Sequence, residues 1–136
     1  MENPDVIIAV DDDQLVLYLH QQYMLEHFPN ARYYGFSTAE AAEEFLLNFD
    51  QRQRFKILML LDVNMPVSTG WELLEHVAPR FDFASTAVVI VTSSLDPTDQ
   101  MHARQYPMVK GYYEKPIDDR FCKDFVPEIL QQPVLV

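Results

Sequence analysis

The chain has 136 residues, 49% of them hydrophobic and 23% charged, which predicts one folded domain with a substantial core rather than a disordered chain. Its formal net charge of −11 repels phosphate backbones and argues against nucleic-acid binding. No apolar run approaches the roughly 20 residues of a membrane span, and the single cysteine cannot form an internal disulfide, so we expect a soluble, cytoplasmic protein.

Short apolar segments alternate with longer amphipathic ones from the start of the chain. VIIAV at 6–10 is typical of a buried strand, and the helical spacing of apolar residues over 14–28 ends at Pro29-Asn30. A weaker strand follows at 31–36. Ser37-Thr38 then provides a capping sequence for a helix that ends near 49.

The alternation continues to the end of the chain. The predicted elements are a strand at 57–61, a helix at 70–78, a strand at 87–92, a helix at 97–105, a strand at 110–114 and a helix at 118–132. Pro127 is expected to kink or break the last helix.

Five strand–helix units in succession predict an α/β fold. Strands that are apolar throughout belong in a parallel sheet covered on both faces, and right-handed crossovers make such a sheet doubly wound. We expect a single domain over 1–136, with its core at about 5–131 and no output domain. The stretch PRFDFAS at 79–85 is the one extended loop without a predicted role.

Polar residues follow the predicted strands at their carboxyl ends, the edge at which open parallel sheets form their sites. They are, in chain order, Asp11, Asp12 and Asp13 after the first strand, Asp62 after the third, Thr92 at the end of the fourth and Lys115 after the fifth.

These residue types favour metal-assisted phosphoryl transfer. Clustered carboxylates need compensation beyond the one charge of Lys115, and oxygen ligands without histidine or thiol favour Mg²⁺ over zinc. A carboxylate can accept a phosphoryl group as an acyl phosphate. Asp62, alone at its strand end, is the best acceptor, and Thr92 can donate a hydrogen bond to a phosphoryl oxygen.

Each signal also has an ordinary structural explanation. Three aspartates before a helix make a good N-cap, Asp62 can cap a turn, and a threonine commonly ends a strand. The occurrence of all these signals at successive strand ends is what favours a site.

Four stretches, VIIAVDDD, ILMLLDVNMPVSTGWELLE, VVIVTSS and GYYEKP, resemble the receiver domain of response regulators in two-component signalling. The resemblance covers about residues 5 to 131. It implies a flavodoxin-like five-stranded sheet in the order 2-1-3-4-5.

The resemblance also implies a metal and acceptor site. Asp11 and Asp12 match the acidic pair that organises Mg²⁺, and Asp62 matches the phosphoacceptor, itself a metal ligand. Asn64 matches the position that offers its backbone carbonyl to the metal. Asp13 extends the acidic run as a cap or neighbour.

The remaining matches concern the switch. Thr92 matches the switch hydroxyl, Tyr112 the aromatic switch residue, and Lys115 the lysine that pairs with the phosphoryl group. The resemblance further implies a cis peptide bond between Lys115 and Pro116. Thr69 stands where the family often has an acidic or amide residue, which predicts altered loop dynamics with the chemistry intact.

The sequence thus predicts a phosphorylation-dependent switch rather than a turnover enzyme. Its partners are expected to be a histidine kinase or histidine phosphotransfer protein as donor and a downstream protein as target. The sequence leaves open which proteins these are and whether the chain forms a homodimer.

Two alternatives stay open at this stage. One is a small phosphatase of the haloacid dehalogenase type, in which Asp11 and Asp13 would form its Asp-x-Asp and Asp118-Asp119 its late acidic pair; Leu15 and the short chain argue against it. The other is a docking module that works without phosphorylation, for which unchanged binding after Asp62→Asn would be diagnostic.

Overall fold

Five strands and five α-helices alternate along the residues described by the computed structural model, 3–49, 55–65, 69–80, 85–93 and 96–131. The strands are β1 (Val6–Val10), β2 (Arg32–Phe36), β3 (Ile57–Leu61), β4 (Thr86–Thr92) and β5 (Val109–Glu114). The helices are α1 (Gln14–His27), α2 (Ala39–Leu47), α3 (Gly70–Val77), α4 (Pro97–Ala103) and α5 (Val126–Leu130).

The strands form one parallel sheet in the order β2-β1-β3-β4-β5, which confirms the predicted fold class and strand order. The three central strands, β1, β3 and β4, are buried at every position, whereas β2 and β5 at the edges are only partly buried. A strand with two neighbours and helices over both faces has no side exposed to water, which explains its uniformly apolar sequence.

Alternate residues of the central strands point into two separate layers of core. One layer packs against α2 and α3, and its strand residues are Val6, Ile8, Val10, Ile57, Met59, Leu61, Val88 and Ile90. The other packs against α1 and α5, and its strand residues are Ile7, Ala9, Leu58, Leu60, Ala87, Val89 and Val91. Packing on both faces holds the central strands, and with them the carboxyl edge of the sheet, in a fixed position.

Side-chain oxygens cap the first four helices at their N-termini. Asp13 accepts a hydrogen bond from Leu15 N at α1, and Thr38 accepts one from Ala41 N at α2, as the capping sequence predicts. Thr69 caps α3 and Asp96 caps α4 in the same way. Each cap satisfies a backbone N–H group that the first helical turn leaves without a partner.

The last helix departs from the prediction of one helix over 118–132. Asp119 and Arg120 are already α-helical, Phe121–Phe125 form a π-helical turn, and the α-helix resumes at Val126. Pro127 lacks an N–H group, and its ring would collide with the carbonyl of Lys123 in a regular helix, so the wider π turn lies directly before it. The expected distortion is present, but it precedes the proline.

Smaller differences concern element ends. β4 and β5 each begin one residue earlier than predicted, and α4 ends at Ala103 rather than near Gln105. In the stretch 79–85, residues 81–84 lie outside the described part of the chain, while Ala78–Arg80 form a 3₁₀ turn after α3. No helix in the described segments is long and apolar enough to cross a membrane.

Candidate functional site

The central strands bring two buried carboxylates to the same edge of the sheet. Val10 and Leu61, the last residues of β1 and β3, are register partners, so the residues that follow them lie side by side. Asp11 N donates to the carbonyl of Phe36 at 3.0 Å, and Asp62 N donates to the carbonyl of Val10 at 3.0 Å. The sheet hydrogen bonds therefore extend through both aspartates and fix their backbones.

Asp11, Asp12 and Asp62 form one acidic cluster. Each offers a carboxylate oxygen, and the three oxygens lie within 4.8 Å of one another. Asp11 is 1% exposed and Asp62 is 5% exposed, whereas Asp12 faces solvent. Two carboxylates at the floor and one at the rim leave the cluster open to water on one side.

Lys115 reaches the cluster from the end of β5. Its Nζ lies 2.5 Å from Asp11 Oδ2 and 3.0 Å from Asp62 Oδ2, and Lys115 N donates to the carbonyl of Thr92 at 2.8 Å. The peptide bond between Lys115 and Pro116 is cis, as the resemblance implies. The lysine is thus tied to β4 through its backbone and to β1 and β3 through its side chain.

Burial and charge oppose each other at these groups. Burial raises the pKa of Asp11, although the hydrogen bond and charge of Lys115 act to lower it. Burial alone would lower the pKa of Lys115, but the hydrogen bonds and charges of Asp11 and Asp62 outweigh it, so this pKa is raised. Lys115 is therefore firmly charged, while Asp11 ionises less readily than an ordinary aspartate.

The cluster fits a divalent cation. Three carboxylates against one ammonium leave two negative charges uncompensated, and Lys115 Nζ is the only partner that the described residues give the buried Asp11 Oδ2. Oxygen ligands without a thiol or imidazole suit a hard cation that keeps some of its water.

Asn64 connects the loop after β3 to the end of β4. Its backbone N donates to Asp62 Oδ1 at 2.9 Å, and its side-chain Nδ2 donates to Thr92 Oγ1 at 2.9 Å. Thr92 is 1% exposed, whereas Asn64 lies at the surface. The buried hydroxyl at the end of β4 is thus bonded to an amide two residues beyond Asp62.

Tyr112 lies on β5, three residues before Lys115, and its hydroxyl contacts α4. Its hydroxyl donates to the carbonyl of Gln100 at 2.7 Å and, more weakly, to that of Asp99 at 3.3 Å. The ring is half-buried and packs against the core layer shared with α2 and α3. A displacement of this ring would therefore release two contacts to the backbone of α4.

Other acidic residues singled out in the sequence have structural partners. Asp13 caps α1 and does not belong to the cluster of three carboxylates. Asp118 accepts hydrogen bonds from Tyr113 OH and Phe121 N, and Asp119 pairs with His27 at 3.3 Å. These partners give Asp118-Asp119 a role at the start of the last helix and weaken the phosphatase alternative.

Sequence reasoning missed two polar side chains near the site. It assigned a role to the backbone of Asn64, but not to the amide that bonds Thr92 across 28 residues of sequence. It also gave no special place to His20, which is 3% exposed and whose pKa burial lowers to about 4, with a further contribution from Lys115. The spacing of apolar residues in α1 could have marked His20 as inward-facing.

Comparisons with known proteins agree on one family. A family model described as the response regulator receiver domain matches residues 7–125, which is most of the chain. No curated protein has a sequence similar enough to count as a relative.

Solved structures of receiver proteins match over nearly the full length. A two-component response regulator from Cytophaga hutchinsonii superposes with a TM-score of 0.81 at 25% identity, covering 96% of this chain and 100% of the other. A CheY-like receiver domain protein from Methanospirillum hungatei JF-1 gives 0.77 at 24% identity, covering 94% of each chain. The Mn²⁺-bound form of response regulator Rcp1 gives 0.69 at 24% identity, covering 98% and 99%.

Proposed function

Because the chain belongs to the response-regulator receiver family, whose members are phosphorylation-dependent signalling modules, we propose that it is a switch that accepts a phosphoryl group on Asp62. The observation that carries this proposal is the buried Asp62 carboxylate, which shares the Lys115 ammonium with a second buried carboxylate, Asp11, at the edge of the sheet. A fixed acceptor with nearby charge compensation meets the main requirements of phosphoryl transfer.

Asp11, Asp12 and Asp62, with the backbone carbonyl of Asn64, would hold Mg²⁺ in this proposal. The bound metal would supply charge neutralisation at the phosphoryl oxygens. Receiver domains bind a divalent metal at their acidic pocket, and the choice of Mg²⁺ rests on the all-oxygen donor set here.

The phosphoryl donor would be a phosphorylated histidine of a histidine kinase or phosphotransfer protein, the usual partners of receiver domains. A carboxylate oxygen of Asp62 attacks phosphorus, the phosphorus–nitrogen bond breaks, and its electron pair stays with the imidazole. The product is an aspartyl phosphate. Lys115 already lies within ion-pair distance of Asp62, so its ammonium group is positioned to form an ion pair with a phosphoryl oxygen on that residue.

Phosphorylation would change the protein surface through Thr92 and Tyr112. The Thr92 hydroxyl would turn toward the phosphoryl group, and Tyr112 would move inward and release the carbonyls of α4 that it now contacts. A phosphoryl group favours this arrangement only by the contacts it gains there. The altered face around β5 and α4 would then bind a downstream protein.

Intact-mass spectrometry after incubation with acetyl phosphate and Mg²⁺ tests the proposal. Wild type should gain one labile phosphoryl group, and Asp62→Asn should gain none. Asp119→Asn is a matched control, because it removes an exposed carboxylate whose partner is His27 and should leave phosphoryl uptake intact.

Two outcomes would contradict the proposal. Uptake by Asp62→Asn would move the acceptor elsewhere. A folded wild type that takes up no phosphoryl group, from either acetyl phosphate or a phosphohistidine protein, would leave a docking function that does not need phosphorylation.

A further inference from the structure

We infer that the Asn64 side chain is a positioning residue that holds Thr92 in its unphosphorylated arrangement and opposes the switch. The inference rests on the proposed function of Asp62 and concerns the regulation of that same site. Its basis is the hydrogen bond from Asn64 Nδ2 to Thr92 Oγ1, which joins the loop after β3 to the end of β4.

The bond occupies a hydroxyl that is almost fully buried. Thr92 is 1% exposed, and a buried hydroxyl needs a partner because water cannot replace it. The Asn64 amide is the partner seen among the described residues. The bond holds the hydroxyl oxygen as an acceptor facing Asn64, and opening it lets the hydroxyl rotate so that its O–H can donate to a phosphoryl oxygen on Asp62.

The loop that carries the Asn64 side-chain amide is held in place by Asp62, the proposed phosphoacceptor. Asn64 N donates to Asp62 Oδ1 at 2.9 Å, so the loop that carries the amide is fixed against the carboxylate to be phosphorylated. Thr92 ends the fully buried strand β4, and its carbonyl accepts from Lys115 N. The amide and the hydroxyl therefore belong to two segments that must both adjust when a phosphoryl group joins Asp62.

The Asn64 side chain lies at the surface, whereas Thr92 does not. Water can hydrate the amide as soon as the bond opens, so the bond favours the resting state by only the net strength of one hydrogen bond. This corresponds to a factor of about 3 to 10 in the equilibrium between resting and phosphoryl-bound arrangements.

Calorimetric titration with beryllofluoride, a phosphoryl mimic, in excess Mg²⁺ tests the inference in a double-mutant cycle. Asn64→Ala should bind beryllofluoride about 3 to 10 times more tightly than wild type. In the Thr92→Val background, which lacks the hydroxyl but keeps the side-chain shape, Asn64→Ala should leave the affinity unchanged.

The unliganded protein provides a second measurement. Thr92→Val should shift the side-chain amide resonances of Asn64 and speed their hydrogen exchange, because the amide loses its acceptor. Unchanged amide resonances would overturn the inference without any ligand being present.

The other outcomes separate this inference from the proposed function. If Asn64→Ala bound beryllofluoride more weakly than wild type, the amide would contact the phosphoryl group directly. If Asn64→Ala changed the affinity equally with Thr92 and with Val at position 92, the amide would act through a group other than the Thr92 hydroxyl. Either result overturns the inference and leaves Asp62 as acceptor. A wild type that neither binds beryllofluoride nor takes up phosphoryl groups would overturn both.

Discussion

Lys115 neutralises only part of the negative charge that surrounds it. Its Nζ contacts one oxygen of Asp11 and one of Asp62, and the carboxylate of Asp12 lies in the same cluster. Carboxylates held close together and partly shielded from water repel one another. Keeping them together in the folded state therefore lowers the stability of the fold. The site is therefore expected to weaken the fold whenever no cation is bound.

Asp11→Asn is the substitution that should reveal this cost. Burial raises the pKa of Asp11, so the folded protein holds that proton to higher pH than the unfolded chain, and ionisation above the raised pKa costs folding free energy. In EDTA at neutral pH, Asp11→Asn should raise the free energy of unfolding by about 1 kcal/mol. Near pH 3, where the carboxyl is protonated in both states, the gain should shrink. Urea unfolding at both pH values measures the effect, and a loss of stability at neutral pH would contradict it.

His20 has the opposite pH dependence. Burial lowers its pKa to about 4, so below about pH 6.5 the unfolded chain binds a proton that the folded protein does not. Wild type should lose up to about 3 kcal/mol of stability between about pH 6.5 and pH 4 from this residue. His20→Leu should lose less over the same range, and the difference between their urea unfolding curves isolates the contribution. Parallel curves would show that His20 is protonated without penalty.

At the scale of elements, the start of α3 presses against the end of β3. A β-carbon on Gly70 would lie 2.6 Å from the carbonyl oxygen of Asp62 and 3.0 Å from Leu61 Cγ. Backbone cannot yield as a side-chain end can, so Gly70→Ala should lower the free energy of unfolding by about 1 to 3 kcal/mol. It should also slow the phosphoryl uptake proposed for Asp62, because it displaces the carbonyl of that residue.

Gly35→Ala is the control for Gly70→Ala. Gly35 lies on the edge strand β2, where the nearest contact of an added β-carbon would be the Tyr33 ring at 3.3 Å. This variant should cost much less stability and leave uptake unchanged. Equal losses in the two alanine variants, measured by urea unfolding, would refute the close approach at Gly70.

The sequence could predict elements whose signal is local. β1, β3 and β4 are apolar at every position because both faces are covered, and Thr38 caps α2 where the pattern indicates. The π turn before Pro127 was beyond such reasoning, because a proline predicts a distortion but not its form. The register shift between β4 and β5 was also unpredictable, since it depends on how two distant segments meet.

At the scale of the whole molecule, the sheet determines which residues become neighbours. The meeting of Asp11, Asp62 and Lys115 was predictable, because parallel strands end at one edge and polar residues there stand out against apolar strands. The bond between Asn64 and Thr92 was not, because it depends on the path of a loop and on a rotamer. Contacts that depend on loop paths and side-chain rotamers can be identified only in the folded structure.

The acidic cluster predicts that Mg²⁺ stabilises the whole molecule. A cation that binds only the folded state adds about 2.7 kcal/mol of stability at 100 times its dissociation constant, so the Tm of wild type should rise by several degrees. Asp12→Asn should lose most of this rise, since it removes the exposed carboxylate of the cluster.

Asp13→Asn is the matched control for the Mg²⁺ effect. Like Asp12→Asn, it removes one negative charge from a chain whose formal net charge is −11. Asp13 lies outside the cluster, and asparagine caps a helix as well as aspartate does, so α1 keeps its cap. The Mg²⁺-dependent rise in Tm should therefore survive in Asp13→Asn and be largely absent in Asp12→Asn. If the two variants responded equally, general screening of the acidic surface would explain the effect, because screening depends on net charge rather than on which carboxylate is lost.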